Sequence, residues 1–267
     1  MITHVLTLAD TSRRAHVENQ LAGLKEHAPE AEHSCFPLDA GAGEKLALAT
    51  ARNQLGDRAV AAGTELLIFL DADCIPGPEL IHHYQACIKA HPEAVACGPV
   101  TYLNPPGEAG YDLQRLSDLT APHPARPNPE AGEYPLASED EYLLFWSLSF
   151  AMHADTWRKI RAESGGFNED YEGYGGEDTD FALRLQNQKI PLRWTGGAHA
   201  YHQWHAVSSP PWEHLEDILR NARRFHDSWG WWPMEGWLRE FARAGAIPED
   251  YFGPGVDALD YLASESR

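Results

Sequence analysis

Apolar positions along the chain follow two alternating rhythms. Thr3–Ala9, THVLTLA, is β-branched and aliphatic and predicts a buried first strand, whereas Ala15–His27 carries Val17, Leu21 and Leu24 at helical spacing. His33–Ala40 predicts a second strand. Glu44–Gly63 is rich in alanine and leucine and predicts a long helix ending at Gly63. Leu66–Leu70 is an unbroken apolar run, the pattern of a central parallel strand covered on both faces. Pro78–Pro92 then predicts a helix, Ala94–Leu103 a strand, Tyr142–Ala154 a strand and Ala154–Ala162 a short helix. Asp178–Gln188 predicts a helix and Ile190–His205 a strand, a turn and a histidine-rich strand end. Pro210–Trp229 and Gly230–Gly245 close the pattern with two helices. Strands alternating with helices imply an α/β, right-handed, doubly wound sheet.

One stretch departs from both rhythms. Asn104–Asp140 is proline-rich, polar and acidic, too long for a simple connection, and reads as a variable loop, either disordered or functional. The 267 residues and 43% hydrophobic content suit a single large domain with its own core. A formal charge of -19 excludes a protein that tracks nucleic-acid phosphates, because displacing counterions needs basic stripes. A phosphate-bearing small ligand stays open, since a metal ion can supply positive charge locally. Cys35, Cys74, Cys87 and Cys97 show no CxxC spacing, and buried free thiols are the favoured reading. The start lacks the pattern of a signal peptide and no run reaches membrane-spanning length, so a soluble, cytoplasmic protein without a membrane span is expected.

The apolar run Leu66–Leu70 ends in Asp71-Ala72-Asp73, at the carboxyl end of a strand where open α/β sheets bind ligands. If extended geometry persists, both carboxylates project to one side. Converging carboxylates suit a hard divalent cation, Mg²⁺ or Mn²⁺, which can hold a diphosphate. The plainer reading is a polar loop in which Asp71 caps a helix and Asp73 is solvated.

The wider segment LALATARNQLGDRAVAAGTELLIFLDADCIPGPELI resembles the nucleotide-binding half of family 2 glycosyltransferases of the GT-A fold: an Ala-Arg-Asn helix, an apolar strand, then D-x-D. That resemblance implies a Rossmann-like, mainly parallel central sheet flanked by helices, with a smaller acceptor-side sheet. It places Asp71 on the ribose or metal shell, Asp73 on the metal, Arg52 near the nucleotide and Asp39 facing the uracil. GGFNEDYEGYGGEDTDFALRL, from Gly165, is similar to the acceptor-side motif of galactosyltransferase-type GT-A enzymes. Glu172 and Tyr174 stand where the animal enzymes have tryptophans, so their acceptor preference does not carry over.

By that resemblance Asp178 is the base that takes the acceptor proton, and Glu177 binds sugar hydroxyls. Asp180 assists or caps the helix. Adjacent carboxylates repel, which raises at least one pKa towards useful basicity. Gly175 and Gly176 would let backbone amides approach a sugar, and Tyr174 offers it an aromatic face. GT-A enzymes also close the metal shell with a histidine after the acceptor motif. Among His199, His202 and His205, His202 is the best match and His205 the substitute; on a strand, His199 and His205 would lie opposite His202.

The implied layout is one domain over residues 1–267: a nucleotide-sugar half (1–103), a variable loop (104–140), an acceptor and catalytic half (141–206) and a C-terminal helical segment (207–267). Tryptophans gather there, mostly for packing, with one or two able to stack on a sugar. The expected activity is metal-dependent, inverting hexosyl transfer from a UDP-sugar to a hydroxyl acceptor. A retaining GT-A transferase and a non-catalytic nucleotide-sugar-binding protein are the alternatives.

Overall fold

The computed structural model describes residues 1–38, 47–206, 208–248 and 250–251. The first half contains β1 (Thr3–Ala9), α1 (Arg14–His27), β2 (Glu32–Pro37), α2 (Leu48–Ala61), β3 (Leu66–Leu70), β4 (Cys74–Pro76), α3 (Leu80–Ala90), β5 (Val95–Cys97) and β6 (Val100–Tyr102). The second contains β7 (Ser149–His153), α4 (Ala154–Ser164), α5 (Glu177–Asn187), β8 (Leu192–Trp194), β9 (Ala200–His202), α6 (Leu215–Trp229) and α7 (Glu235–Arg243). Six strands form the main sheet in the order β2-β1-β3-β7-β5-β8, and a second sheet has the order β4-β9-β6.

The main sheet is parallel at β2-β1, β1-β3 and β5-β8. A doubly wound reading has to be corrected at β7, which runs antiparallel to both β3 and β5. The physical reason is that β7 arrives from the long Asn104–Asp140 region instead of a helical crossover, so no right-handed βαβ unit sets its direction. Its register also does something useful. Leu148, just before β7, accepts a hydrogen bond from the backbone N–H of Asp71, fixing the point where β3 ends.

β3 is buried on both faces, which explains its unbroken apolar run. Leu67 and Phe69 face one core with Phe150, Trp157, Phe167 and Phe181, while Leu66, Ile68 and Leu70 face another with Leu80, Tyr84 and Ile88. Phe167 and Phe181 stack with centroids 3.9 Å apart, seating α5 on the first of these cores. A separate cluster built from Ile218, Leu219, Ala222, Leu238 and Phe241 joins α6 to α7.

Two predicted strands are shorter than their apolar runs. Ala94–Leu103 is split at Gly98-Pro99: β5 stays in the main sheet and β6 passes to the second. A Cβ on Gly98 would lie 1.8 Å from the Ala198 carbonyl oxygen, and proline offers no N–H to continue the ladder. Within Tyr142–Ala154, only Ser149–His153 is strand; Asp140–Leu144 is a 3₁₀ turn whose Tyr142 hydroxyl donates to the Ile190 carbonyl at 2.8 Å. All four cysteines are free, but Cys35 on β2 is exposed, whereas the other three are buried as expected. Among the described residues no helix is long and apolar enough to cross a membrane.

Candidate active site

The D-x-D residues do not continue the strand. The Cys74 N–H donates to the Asp71 carbonyl at 2.9 Å, closing a turn before β4. Gln20 on α1, fully buried, clamps this turn by donating to the carbonyls of Asp71 at 2.8 Å and Cys74 at 2.9 Å. Extended geometry therefore fails here, and the two carboxylates part company.

Asp73 faces His202 and His205. Cys74 pairs with His202 across the antiparallel β4-β9 ladder, so register alone carries His202 to the D-x-D turn. Its Nε2 lies 3.5 Å from Asp73 Oδ1, and His205 Nε2 lies 3.3 Å from Asp73 Oδ2. One ligand atom from each of the three falls within 4.8 Å of the others. The two histidines act together because β9 stops at His202. The Gln203 N–H donates to the Asp73 carbonyl at 2.7 Å and turns the chain, so strand alternation no longer separates His205 from His202. His199 points elsewhere: its Nε2 meets Thr101 Oγ1 at 2.6 Å, and burial lowers its pKa to about 4.

Burial by itself would raise the Asp73 pKa, but the hydrogen bond with His205 and the charges of His202 and Arg13 outweigh it and hold the carboxyl below its ordinary value. Burial lowers the His202 pKa, which favours the neutral imidazole, the form whose lone pair can bind a metal. Tyr102, at the end of β6, stacks on His202 with ring centroids 4.5 Å apart.

Asp71 does not join this group of three, whereas extended geometry would have turned both D-x-D carboxylates to one side. Its Oδ1 lies 3.7 Å from Arg52 Nη2, and Arg52 Nη1 donates to Glu177 Oε1 at 3.1 Å. Arg52 is thus a buried bridge between the D-x-D turn and the first turn of α5, with its guanidinium over the Phe167 ring. Burial would lower its pKa, but the Asp71 and Glu177 charges raise it instead. Three carboxylates, those of Asp71, Glu177 and Asp178, share this one cation. Burial, then the negative charges around it, raise Asp71 to about 7 despite Arg52. Burial, then the Glu177 charge, raise Asp178 to about 6, although the Thr179 N–H donates to its Oδ1 at 2.7 Å.

The glycines before α5 serve backbone shape. Gly173, Gly175 and Gly176 have φ of +72°, +97° and +90°, a region that L side chains resist. A Cβ on Gly175 would meet Met234 Sδ at 2.8 Å, and one on Gly176 would meet Tyr171 at 3.2 Å. Tyr174 is partly exposed, its ring stacked on His214 at 4.6 Å. Asp180 is fully buried, receives the Trp229 indole N–H at 2.9 Å and pairs with Arg184, so it anchors α5 to α6. Asp39 lies outside the described residues.

Sequence pattern does not single out Arg13. It belongs to LADTSRRAH, a stretch without the glycine-rich form of a phosphate loop, yet its Nη1 lies 3.5 Å from Asp73 Oδ2. The signal that points to it is position: residues directly after the first strand sit at the ligand-binding edge of such sheets.

Comparison with known proteins finds partial matches to sugar-transferring proteins. A family model described as the N-terminal domain of galactosyltransferase matches residues 134–205, which span β7, the glycine-rich turn, α5, His202 and His205. Validoxylamine A glucosyltransferase of Streptomyces hygroscopicus subsp. jinggangensis is 32% identical over 181 residues, covering 58% of this chain and 40% of that protein. Chondroitin synthase of Escherichia coli is 27% identical over 163 residues, covering 54% of this chain and 23% of that one. The matched region spans less than half of either relative's length. Among solved structures, TarS 1-349 of S. aureus aligns with 100% of this chain and 79% of its own, at TM-score 0.55 and 12% identity. GalNAc-T7 with UDP, GalNAc and Mn²⁺ aligns with 100% of this chain and 54% of its own, at TM-score 0.51 and 14% identity.

The fold is that of the GT-A structures it aligns with, and part of the chain is similar in sequence to glycosyltransferases. The relatives' names cover a glucosyltransferase, a galactosyltransferase domain and a chondroitin synthase, and sugar transfer is what they share.

Proposed function

We propose that the chain moves a hexosyl residue from a UDP-sugar to a hydroxyl acceptor, with inversion at the anomeric carbon and a divalent cation, Mn²⁺ or Mg²⁺, at Asp73. The observation that carries this reading is the convergence on Arg52 of two motifs far apart in sequence, Asp71 of D-x-D and Glu177 of the helix start, beside the Asp73-His202-His205 group. TarS of S. aureus has been solved with UDP-GlcNAc, and GalNAc-T7 with UDP and Mn²⁺, which supports the choice of donor and ion.

In this reading Asp178 accepts the proton of the acceptor hydroxyl as that oxygen bonds to the anomeric carbon. The bond from this carbon to the diphosphate breaks, and its electron pair leaves with the nucleotide. A pKa of about 6 suits a general base, because the group is ionised at neutral pH yet more basic than an ordinary aspartate. Glu177, tied to Arg52, is placed to accept hydrogen bonds from sugar hydroxyls. Because the base must be deprotonated, turnover is expected to fall tenfold per pH unit below about 6, a limb that a pH–rate profile would reveal. A flat profile between pH 5 and 7 would remove Asp178 from that role.

One carboxylate and two imidazole nitrogens form a donor set that fits Mn²⁺ better than Mg²⁺, which prefers oxygen and water. When bound, the cation would offset charge on the departing diphosphate, with Arg13 adding a second positive charge. Saturating Mn²⁺ is expected to raise the melting temperature, with about 2.7 kcal/mol of stabilisation at a hundredfold excess over Kd. EDTA should reverse the shift, and His202→Ala and His205→Ala should each weaken it. An undiminished shift in both variants would place the ion elsewhere.

Incubation with a panel of UDP-sugars and Mn²⁺, read by NMR, tests the whole reading. A product that keeps the donor's anomeric configuration would overturn inversion. Binding without transfer or hydrolysis of any donor would overturn the enzymatic assignment.

A further inference from the structure

Three carboxamides without solvent exposure hold the turns that frame the site. Gln20 grips the D-x-D turn, and its Oε1 is satisfied by the Thr7 hydroxyl at 2.8 Å. Asn53 donates to the Phe167 carbonyl and accepts from the Phe167 N–H, closing on the Gly-Gly-Phe segment. The third is Asn221 on α6. Its Nδ2 donates to the carbonyls of Glu172 at 3.0 Å and Tyr174 at 3.1 Å, but its Oδ1 is buried with no partner among the described residues.

That difference is informative. A buried acceptor left unpaired costs free energy, and a leucine of similar volume would avoid the cost. What leucine cannot supply is two donors on one neutral group. The surrounding contacts show what those donors hold. With positive φ at Gly173, Gly175 and Gly176, the loop's own backbone does not form the regular ladder that would receive these carbonyls. Arg220 Nη2 takes the Glu172 carbonyl as well, at 2.8 Å. Gly173 packs so close to α6 that a Cβ would lie 2.0 Å from Asp217 Oδ2. The loop ends at Gly176, and the next two residues are Glu177 and Asp178.

We infer that Asn221 is a positioning residue for catalysis: by holding the Glu172 and Tyr174 carbonyls, it sets the direction in which the loop delivers Glu177 and Asp178 to the site. The C-terminal helix pair is then part of the catalytic apparatus and not an accessory. This inference rests on Asp178 being the base, and its test keeps the two ideas apart.

The decisive variant is Asn221→Leu, measured three ways. Calorimetry with UDP and Mn²⁺ should give a Kd within about twofold of wild type, since Asn221 touches neither D-x-D nor the histidines. Turnover per folded molecule, with whichever UDP-sugar the wild type consumes, should fall about 10- to 100-fold, the scale expected for a misplaced reacting group. Backbone amides of Gly173 to Thr179 should exchange with deuterium faster, while those of α6 and α7 keep their protection. A role confined to packing would lower the melting temperature and leave turnover and loop exchange unchanged, and that result overturns the inference. Should Asn221→Leu fail to fold, Arg220→Met removes the partner donor from the same Glu172 carbonyl on the solvent side. It should show the same pattern more weakly; unaltered loop exchange there overturns the inference too. If the wild type turns over no UDP-sugar, the sugar-transfer reading fails separately, and the exchange measurement still decides whether Asn221 holds the loop.

Discussion

Asp178→Asn is expected to cut turnover by about 10²- to 10⁴-fold, the range for loss of a general base, and at the same time to make the metal-free protein more stable. The two effects share one cause. Burial and the Glu177 charge raise the Asp178 pKa to about 6, so ionising this group in the folded state is unfavourable compared with the unfolded chain. The sign follows from proton binding. A carboxyl whose folded pKa exceeds its unfolded value makes the fold lose stability as pH rises from about 4 to 6, and the cost is complete above that. Asparagine removes the charge while nearly keeping the shape. At pH 7.5 the gain should be about 1–3 kcal/mol, worth roughly 2–4 °C in melting temperature per kcal/mol for a chain of this size. It should vanish near pH 4. Calorimetry at the two pH values, with donor binding measured alongside, checks it; a less stable Asp178→Asn protein at pH 7.5 would contradict the charge picture.

The opposite outcome is expected for Arg52→Met. The variant strands Asp71 and Glu177, and removing one partner of a buried pair typically costs about 3–5 kcal/mol because a charge is left without compensation. At neutral pH this should lower the melting temperature by roughly 10 °C. Part of the loss should return on acidification, as the abandoned carboxyls take up protons. Adding Glu177→Gln to Arg52→Met should also recover stability, so the double variant loses less than the single changes predict in sum. Simple additivity would show that the Arg52–Glu177 contact at 3.1 Å carries little coupling.

How far the sequence reaches into this site depends on what each inference asks of the chain. Local pattern places β1, β3 and α5 almost to the residue, because burial on two faces or one face imprints a period. The same pattern misjudges Ala94–Leu103 and Tyr142–Ala154, where one apolar run feeds two elements that share a core. At the D-x-D turn, extended geometry holds for β3 and fails one residue beyond it. The turn there is held by Gln20 from α1, a contact between distant segments that no local rule contains. Strand alternation sets His205 opposite His202 for the same reason, since the end of β9 depends on the Gln203 N–H finding the Asp73 carbonyl. Arg52 is legible as a site residue, but its role as a bridge to Glu177 is not. Two helices more than a hundred positions apart carry no shared periodicity. Arg13 shows the converse: its location at the end of the first strand is informative, while its surrounding composition is not.

The grouping of Asp73 with His202 and His205 bears on how the chain reaches its native state. Asp73 comes from the first half of the sequence and His202 and His205 from the second, brought together by the β4-β9 ladder. A pairing of such long range closes a large loop and forms slowly compared with local helices. If the proposed cation binds there, its capture would lock in a topology that the early helices alone leave open.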